Sequence, residues 1–177
     1  RRRFSSASIT PSNAVIEQPS LLRRTAGNPV LLAIVWGTAA FLLRIYRLEE
    51  QSLWNDEIFT LDVVRHSLGD IQTTLAASYH HPPLYFYIAR ASVTFFGFTA
   101  WAIRFPSVIF GALTVGTAFL VAERMMGRRA AVATGTLLLV APFHLAYSQE
   151  GRPYALAGLL CLLCTYAFLR LLERPTL

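Results

Sequence analysis

Long apolar runs separated by short polar knots dominate the chain, and their lengths predict helices that cross a bilayer. Four runs approach the roughly 20 residues, within a range of about 17 to 25, that a membrane-spanning helix needs. They are Pro29 to Leu43, Phe105 to Ala122, Ala130 to Tyr147 and Pro153 to Leu169. The first extends through Tyr46 if the Arg44 side chain snorkels to the interface. A fifth run, Leu84 to Phe98, rises only about 22 Å as a helix, against a hydrocarbon core of about 30 Å. It also carries Arg90 at its middle, where a charge costs about 2.5 to 3.5 kcal/mol on an insertion scale. This fifth stretch is expected to lie as an interfacial or partly re-entrant helix.

The arginines test that choice. With four spans and the N-terminus inside, ten are cytoplasmic: Arg1, Arg2, Arg3, Arg23, Arg24, Arg124, Arg128, Arg129, Arg170 and Arg174. Arg44, Arg47, Arg65, Arg90, Arg104 and Arg152 then fall outside or in the outer interface. A fifth span moves Arg124, Arg128 and Arg129 outside and leaves seven arginines in the cytoplasm, so the positive-inside bias favours four. The fold class that follows is an all-α polytopic transmembrane helical bundle with a long external first loop carrying juxtamembrane helices. Its module covers residues 28–172, with spans at about 29–46, 105–122, 130–147 and 153–169. The external loop covers about 47–104 and contains the interfacial helix 84–98. Residues 1–27, basic and without hydrophobic periodicity, read as a disordered cytoplasmic tail. Residues 173–177 are a truncated cytoplasmic end. The chain has no initiator Met and stops just after a span, so an N-terminal fragment of a longer protein is expected, inactive on its own.

Composition agrees with the pattern: 54% hydrophobic against 15% charged residues excludes an ordinary soluble domain. All sixteen basic residues are arginine and the net charge is +6. Because they flank apolar runs, anionic lipid headgroups explain them and no nucleic acid partner is implied. Cys161 and Cys164 have a C-x-x-C spacing but lie inside an apolar run. They read as small apolar residues of a helix, since redox or metal work needs polar access.

The polar knots carry the candidate chemistry. In the first loop, Asp56 to Ser67 and Leu68 to Ala77 have helical spacing, and Asn55 or Asp56 is expected to cap the first of these helices. Asp56 and Glu57 follow Trp54 just beyond a span, where a carboxylate can act as a base on a lipid-linked substrate. The four-span topology puts Ser148 to Tyr154 on the same side. Asp56, Glu57, His80, His81, Glu150 and Arg152 then share one face of the membrane. His80, His81, Arg104, Glu150 and Arg152 are the candidate substrate-binding residues, Arg104 through a phosphate. Plainer roles exist for each: helix cap or N-terminal charge for the two acids, a local ion pair for Glu150 with Arg152, an interfacial anchor for Arg104, loop residues before Pro82 for His80 and His81. His144, after Pro142 inside a span, reads as packing at a kink.

Four motifs occur in order: Leu53-Trp54-Asn55-Asp56-Glu57, then His81-Pro82-Pro83-Leu84-Tyr85, then Arg104-Phe105-Pro106-Ser107 with Gly111, then Ser148-Gln149-Glu150-Gly151-Arg152-Pro153-Tyr154. Together, over about Leu43 to Leu172, they resemble the N-terminal region of GT-C-fold membrane glycosyltransferases. The resemblance is to the glycosyltransferase family 39-like proteins, the protein O-mannosyltransferase and aminoarabinose transferase superfamily. It implies transfer of a sugar from a polyprenyl-phosphate donor to an acceptor hydroxyl of a lipid, glycan or protein. That transfer takes place on the extracytoplasmic face of the plasma membrane, usually with inversion. It places an acid of the first loop, here Asp56 with Glu57 beside it, in the active site, and matches a second acidic position with Glu150. Aminoarabinose transferases carry Glu-Lys-Pro where this chain has His80-His81-Pro82, so roles known for that Glu and Lys do not carry over.

The chemistry accounts for those residue types. A hydroxyl is a poor nucleophile, and Asp56 can accept its proton during attack on the anomeric carbon. The leaving lipid phosphate needs neutralisation, for which Arg152, His81 or a divalent cation qualifies. No His or Cys spacing announces a metal site, so Asp56 and Glu150 are the candidate ligands. Two other classes compete: a transporter or flippase for a lipid-linked substrate, and a non-catalytic membrane scaffold. Transporters place their charges near the midplane, whereas these acids stand at the ends of spans.

Overall fold

The computed structural model describes residues 27–78 and 81–172. Among the described residues it contains eight helices: α1 (Pro29–Ile45), α2 (Asn55–Val63), α3 (Leu68–Ser78), α4 (Leu84–Phe96), α5 (Ala100–Met126), α6 (Arg128–Val140), α7 (Pro142–Ser148) and α8 (Tyr154–Leu172). Of the expected basic tail 1–27, residues 1–26 lie outside the described residues, as do the last residues 173–177. An all-α helical bundle is what forms.

α5 is the axis, and α1, α4, α6, α7 and α8 all pack on it. Small residues let α1 come close. Ala33 and Gly37 on α1 face Ala112 and Gly116 on α5, four residues apart on each helix. A Cβ built on Gly37 would stand 3.5 Å from the Ala112 carbonyl oxygen, and one on Gly116 would stand 3.0 Å from that of Ala33. In lipid, where apolar burial drives little association, such backbone proximity supplies the packing. Gly111 is tighter still, because an added Cβ would fall 2.5 Å from Ser148 Cβ on α7. Gly111→Ala is therefore expected to destabilise the bundle by about 1 to 3 kcal/mol through overpacking. A lowered unfolding midpoint in detergent checks it, and an unchanged midpoint contradicts the packing described.

Two prolines break the backbone ladder, and a side chain repairs each break. Pro106, inside α5, has no N–H for the Ala102 carbonyl, and that oxygen accepts from Ser92 Oγ at 2.5 Å instead. Pro142 likewise leaves the Leu138 carbonyl without its helical donor. There α6 and α7 bend by 61°, and Arg44 NH2 donates to Leu138 O at 3.1 Å. The expected single helix over 130–147 is thus a broken one. Arg44 does not snorkel outward: it is fully buried, held also by Ala40 O at 3.2 Å and His144 Nδ1 at 2.7 Å. In a membrane every freed carbonyl needs a partner, which explains a cation turned inward.

α5 and α8 are long and apolar enough to cross a membrane, and the bent α6–α7 pair makes a third candidate. α1, with 17 residues, rises about 25 Å. Exposed apolar side chains such as Ile34, Leu42, Leu137, Val140, Leu163 and Phe168 form the outer surface, the kind of surface lipid covers. The molecule is a membrane protein.

A second layer sits over one end of the bundle. Val63, Ile71, Leu75, Phe86 and Val93 of α2, α3 and α4, with Val64 just after α2, share a core with Ile103 of α5 and Leu156 of α8. Tyr85 OH, near one end of α4, meets Ile103 O and Ser107 Oγ of α5, while Ser92, two turns on, meets Ala102. Arg90 donates to Val64 O at 2.6 Å, closing the C-terminal end of α2, so a charge that would be costly at a bilayer centre has a backbone partner in this layer. Gly97, at φ 88, makes the sharp turn from α4 to α5, a conformation that a Cβ disfavours.

Candidate active site

The polar centre is built where α2, the head of α5 and the α7–α8 turn meet. α2 starts one residue earlier than expected: Trp54 is its N-cap without a side-chain bond, and neither Asn55 nor Asp56 caps it. Asp56 and Glu57 occupy its first turn, where negative charge favours the helix dipole. Successive helix residues point about 100° apart, so the two carboxylates part company.

Glu57 turns inward and is 1% exposed. Its Oε1 accepts from Arg104 Nε at 2.7 Å and from the Gly151 N–H at 2.8 Å, and its Oε2 accepts from Arg104 NH2 at 2.6 Å. Arg104 continues the network by donating to Leu48 O at 2.8 Å, Gln51 O at 3.0 Å and Ser52 O at 3.3 Å. The expected interfacial anchor is thus a buried, two-pronged brace that ties the loop after α1 to α5. Gln149 reinforces it from the α7–α8 turn, donating to Arg44 O at 2.9 Å and Tyr46 O at 3.2 Å. Those acceptors are terminal carbonyls of α1 that the helix itself leaves unpaired.

Asp56 turns outward with its side chain 50% exposed. Its backbone is fixed from behind: Thr60 Oγ1 donates to Asp56 O at 3.1 Å and Arg152 NH1 does so at 3.2 Å. Arg152 NH2 stands 3.9 Å from Asp56 Oδ2. The Arg152 guanidinium is itself buried, with its centre 5.9 Å from the rings of both Phe59 and Tyr154. Its Nε has no hydrogen-bond partner. Arg152 therefore pairs with Asp56, and the local ion pair with Glu150 does not form.

Glu150 lies half-buried in a cleft of about 370 Å³ that Trp54, Glu57, Arg104 and Gln149 also line. Its Oε2 is buried without a partner. Burial first, then the negative charges of Glu57 and Asp56, raise its pKa above the usual glutamate value, while Arg152 and Arg104 pull the other way. An acid whose folded pKa is raised contributes its stability fully below the unfolded value and loses it as pH climbs through the folded one. The midpoint of the wild type is thus expected to fall relative to that of Glu150→Gln as pH rises from about 4. Thermal unfolding of both proteins across pH checks this, and a constant difference contradicts it.

His81 packs its ring against Phe59 and Phe86, with centroids 6.1 Å from each. His80 lies outside the described residues. Among the described residues no three His, Cys, Asp or Glu side chains converge as a metal-ligand group; around the site, Asp56 and Glu150 have carboxylate oxygens outside the Arg104 brace. Cys161 and Cys164 are free and exposed on α8. Sequence reasoning missed the supports, namely Thr60, Ser107, Tyr85, Gln149 and the inward Arg44. Ser107 Oγ bonds Tyr85 and donates to Arg152 O at 3.2 Å. Only Arg44 had a local signal, since Pro142 announces a carbonyl in need of a donor.

A cluster of acids and arginines at the ends of apolar helices, with one carboxylate half exposed and the rest braced, defines a membrane protein with a polar site at one end of its bundle. The chain belongs to the dolichyl-phosphate-mannose-protein mannosyltransferase family, whose pattern matches residues 80–177. It is accordingly of the membrane glycosyltransferase class that uses a lipid-linked sugar. No curated protein and no solved structure matches it.

Proposed function

We propose that this chain belongs to an inverting glycosyltransferase, which passes a sugar from a polyprenyl-phosphate donor to an acceptor hydroxyl at the extracytoplasmic face of the plasma membrane. The observation that carries the reading is the contrast between Asp56 and Glu57. Asp56 keeps an exposed carboxylate 3.9 Å from a buried arginine, whereas all of Glu57 is engaged by Arg104 and Gly151. Asp56 accepts the proton of the acceptor hydroxyl as its oxygen attacks the anomeric carbon. The carbon–oxygen bond to the lipid phosphate breaks, and the phosphate leaves as an anion. Arg152, with an uncommitted Nε, neutralises that charge. Glu57 and Arg104 act as positioning residues. Glu150, with a free oxygen in the cleft beside them, contacts the substrate.

The reading is tested in the full-length protein by two measurements. With a polyprenyl-phosphate sugar and an acceptor, the product is expected to carry the inverted anomeric configuration; retention, or no transfer with any such donor, opposes it. With Cys161 and Cys164 replaced by serine, single cysteines at positions 100 and 150 are expected to react with an impermeant maleimide outside intact cells, and one at 126 to be protected. Labelling of 100 and 150 from opposite sides overturns the shared face.

A further inference from the structure

The site at Asp56 leaves one charge in the bundle unexplained. Arg44 is fully buried, yet its partners are two backbone carbonyls and His144 Nδ1, with no carboxylate among the described residues. Its Nε is buried without a partner. Repairing the break at Pro142 accounts for one hydrogen bond and leaves the charge uncompensated, whereas buried charges in proteins are normally paired. An ionisable group in this position marks a functional site.

Arg44 also fixes what His144 can do. A guanidinium has no acceptor, so at 2.7 Å His144 Nδ1 must accept and the ring proton resides on Nε2. His144 lines a cavity of about 350 Å³ between α5, α7 and α8, together with Thr114, Tyr147, Ser148, Tyr154 and Gly158. The ring thus offers an N–H donor at the cavity wall with a fixed positive charge directly behind it. Tyr147 and Tyr154, in edge contact at 5.2 Å, are both about half exposed, and the surrounding surface is apolar, with Phe143 81% and Leu160 44% exposed. A cation-backed donor between helices, rimmed by tyrosines and opening among lipid-facing residues, has the character of a headgroup pocket.

We infer that this cavity, backed by Arg44 and His144, binds the phosphate of a membrane lipid. It is separate from the Asp56 carboxylate and stands whether or not the chain transfers sugar. Two lipids present that chemistry, the prenyl-phosphate carrier and an anionic phospholipid of the bilayer, and the test tells them apart.

Gly158 provides a clean variant, since a Cβ added there meets nothing within 4 Å. Gly158→Leu fills the cavity and replaces a helical glycine with a better helix former. Purified full-length protein in a nonionic maltoside is titrated calorimetrically with farnesyl phosphate, farnesol and a short-chain phosphatidylglycerol. The wild type is expected to bind at least one of the phosphate lipids about ten-fold or more tightly than farnesol. Gly158→Leu and His144→Phe are expected to lose the equivalent of lipid held in this cavity, while farnesyl phosphate held at the Arg152 centre stays bound. Loss of a farnesyl phosphate equivalent alone identifies the carrier, and loss of phosphatidylglycerol binding identifies a bilayer lipid; either supports the site. No preference in the wild type, or an undiminished stoichiometry in either folded variant, overturns it. Should Gly158→Leu fail to fold, His144→Phe decides alone.

Discussion

Arg104→Leu is expected to cost about 3 to 5 kcal/mol of stability, because it leaves the Glu57 carboxylate buried and without its cation. Glu57 is 1% exposed and cannot turn to water without dragging the first turn of α2 with it. Glu57→Leu is expected to be nearly as damaging from the other side, stranding a guanidinium that is 5% exposed. The double replacement removes both charges and is expected to recover part of the loss. Recovery stays incomplete for a reason specific to this brace: Arg104 also serves the carbonyls of Leu48, Gln51 and Ser52, and no leucine can replace those donors. A double-mutant cycle on detergent-solubilised protein, read by thermal or denaturant unfolding, measures the coupling. Additive single losses, with no recovery in the double variant, would contradict a buried pair.

That brace shows where reading the sequence stopped. The Asp56-Glu57 motif, the polar turn at 148–154 and the apolar runs were legible because each is local. The pairing of Glu57 with Arg104 spans 47 residues and that with Gly151 spans 94, and no periodicity encodes such a contact. Arg104 looked like an anchor because arginines at span ends usually are anchors; its helix in fact begins at Ala100 and carries it into the interior. Arg44 was placed at the interface by the same habit, although Pro142 already implied a lone carbonyl that an inward donor could serve. Composition and spacing did not separate Glu57 from Asp56, and the family resemblance alone favoured Asp56. The rotation of about 100° between neighbours on a helix separates a brace from an exposed acid, and only the position of α2 against α5 decides which is which. The bend between α6 and α7 was legible as a kink at Pro142, but its 61° size and the Arg44 donor that meets the freed carbonyl were not, because the run from Ala130 to Tyr147 stays apolar across it.

The same separation fixes the second large effect. Asp56→Asn keeps the shape of the side chain and the backbone bonds from Thr60 and Arg152, but an amide cannot take a proton from a hydroxyl. Loss of a general base typically costs about 10² to 10⁴ in rate. The loss is expected in kcat, with the KM for the donor little changed, because the proposed mechanism gives the phosphate end of the donor to Arg152 and not to the carboxylate. Asp56→Glu, which lengthens the arm by one methylene, is expected to retain part of the rate. Stability is a poor reporter here, since a half-exposed carboxylate 3.9 Å from its cation contributes little to the fold. Near-normal unfolding of Asp56→Asn together with lost turnover would distinguish it from the brace variants, which lose both.

The rate of sugar transfer by full-length Asp56→Asn, in membranes where its insertion and abundance equal those of the wild type, addresses the account most directly. A fall of about 10² or more in kcat is the expected result. Turnover at the wild-type rate would mean that the exposed aspartate is not the base, and that the centre built around Arg152 does something else.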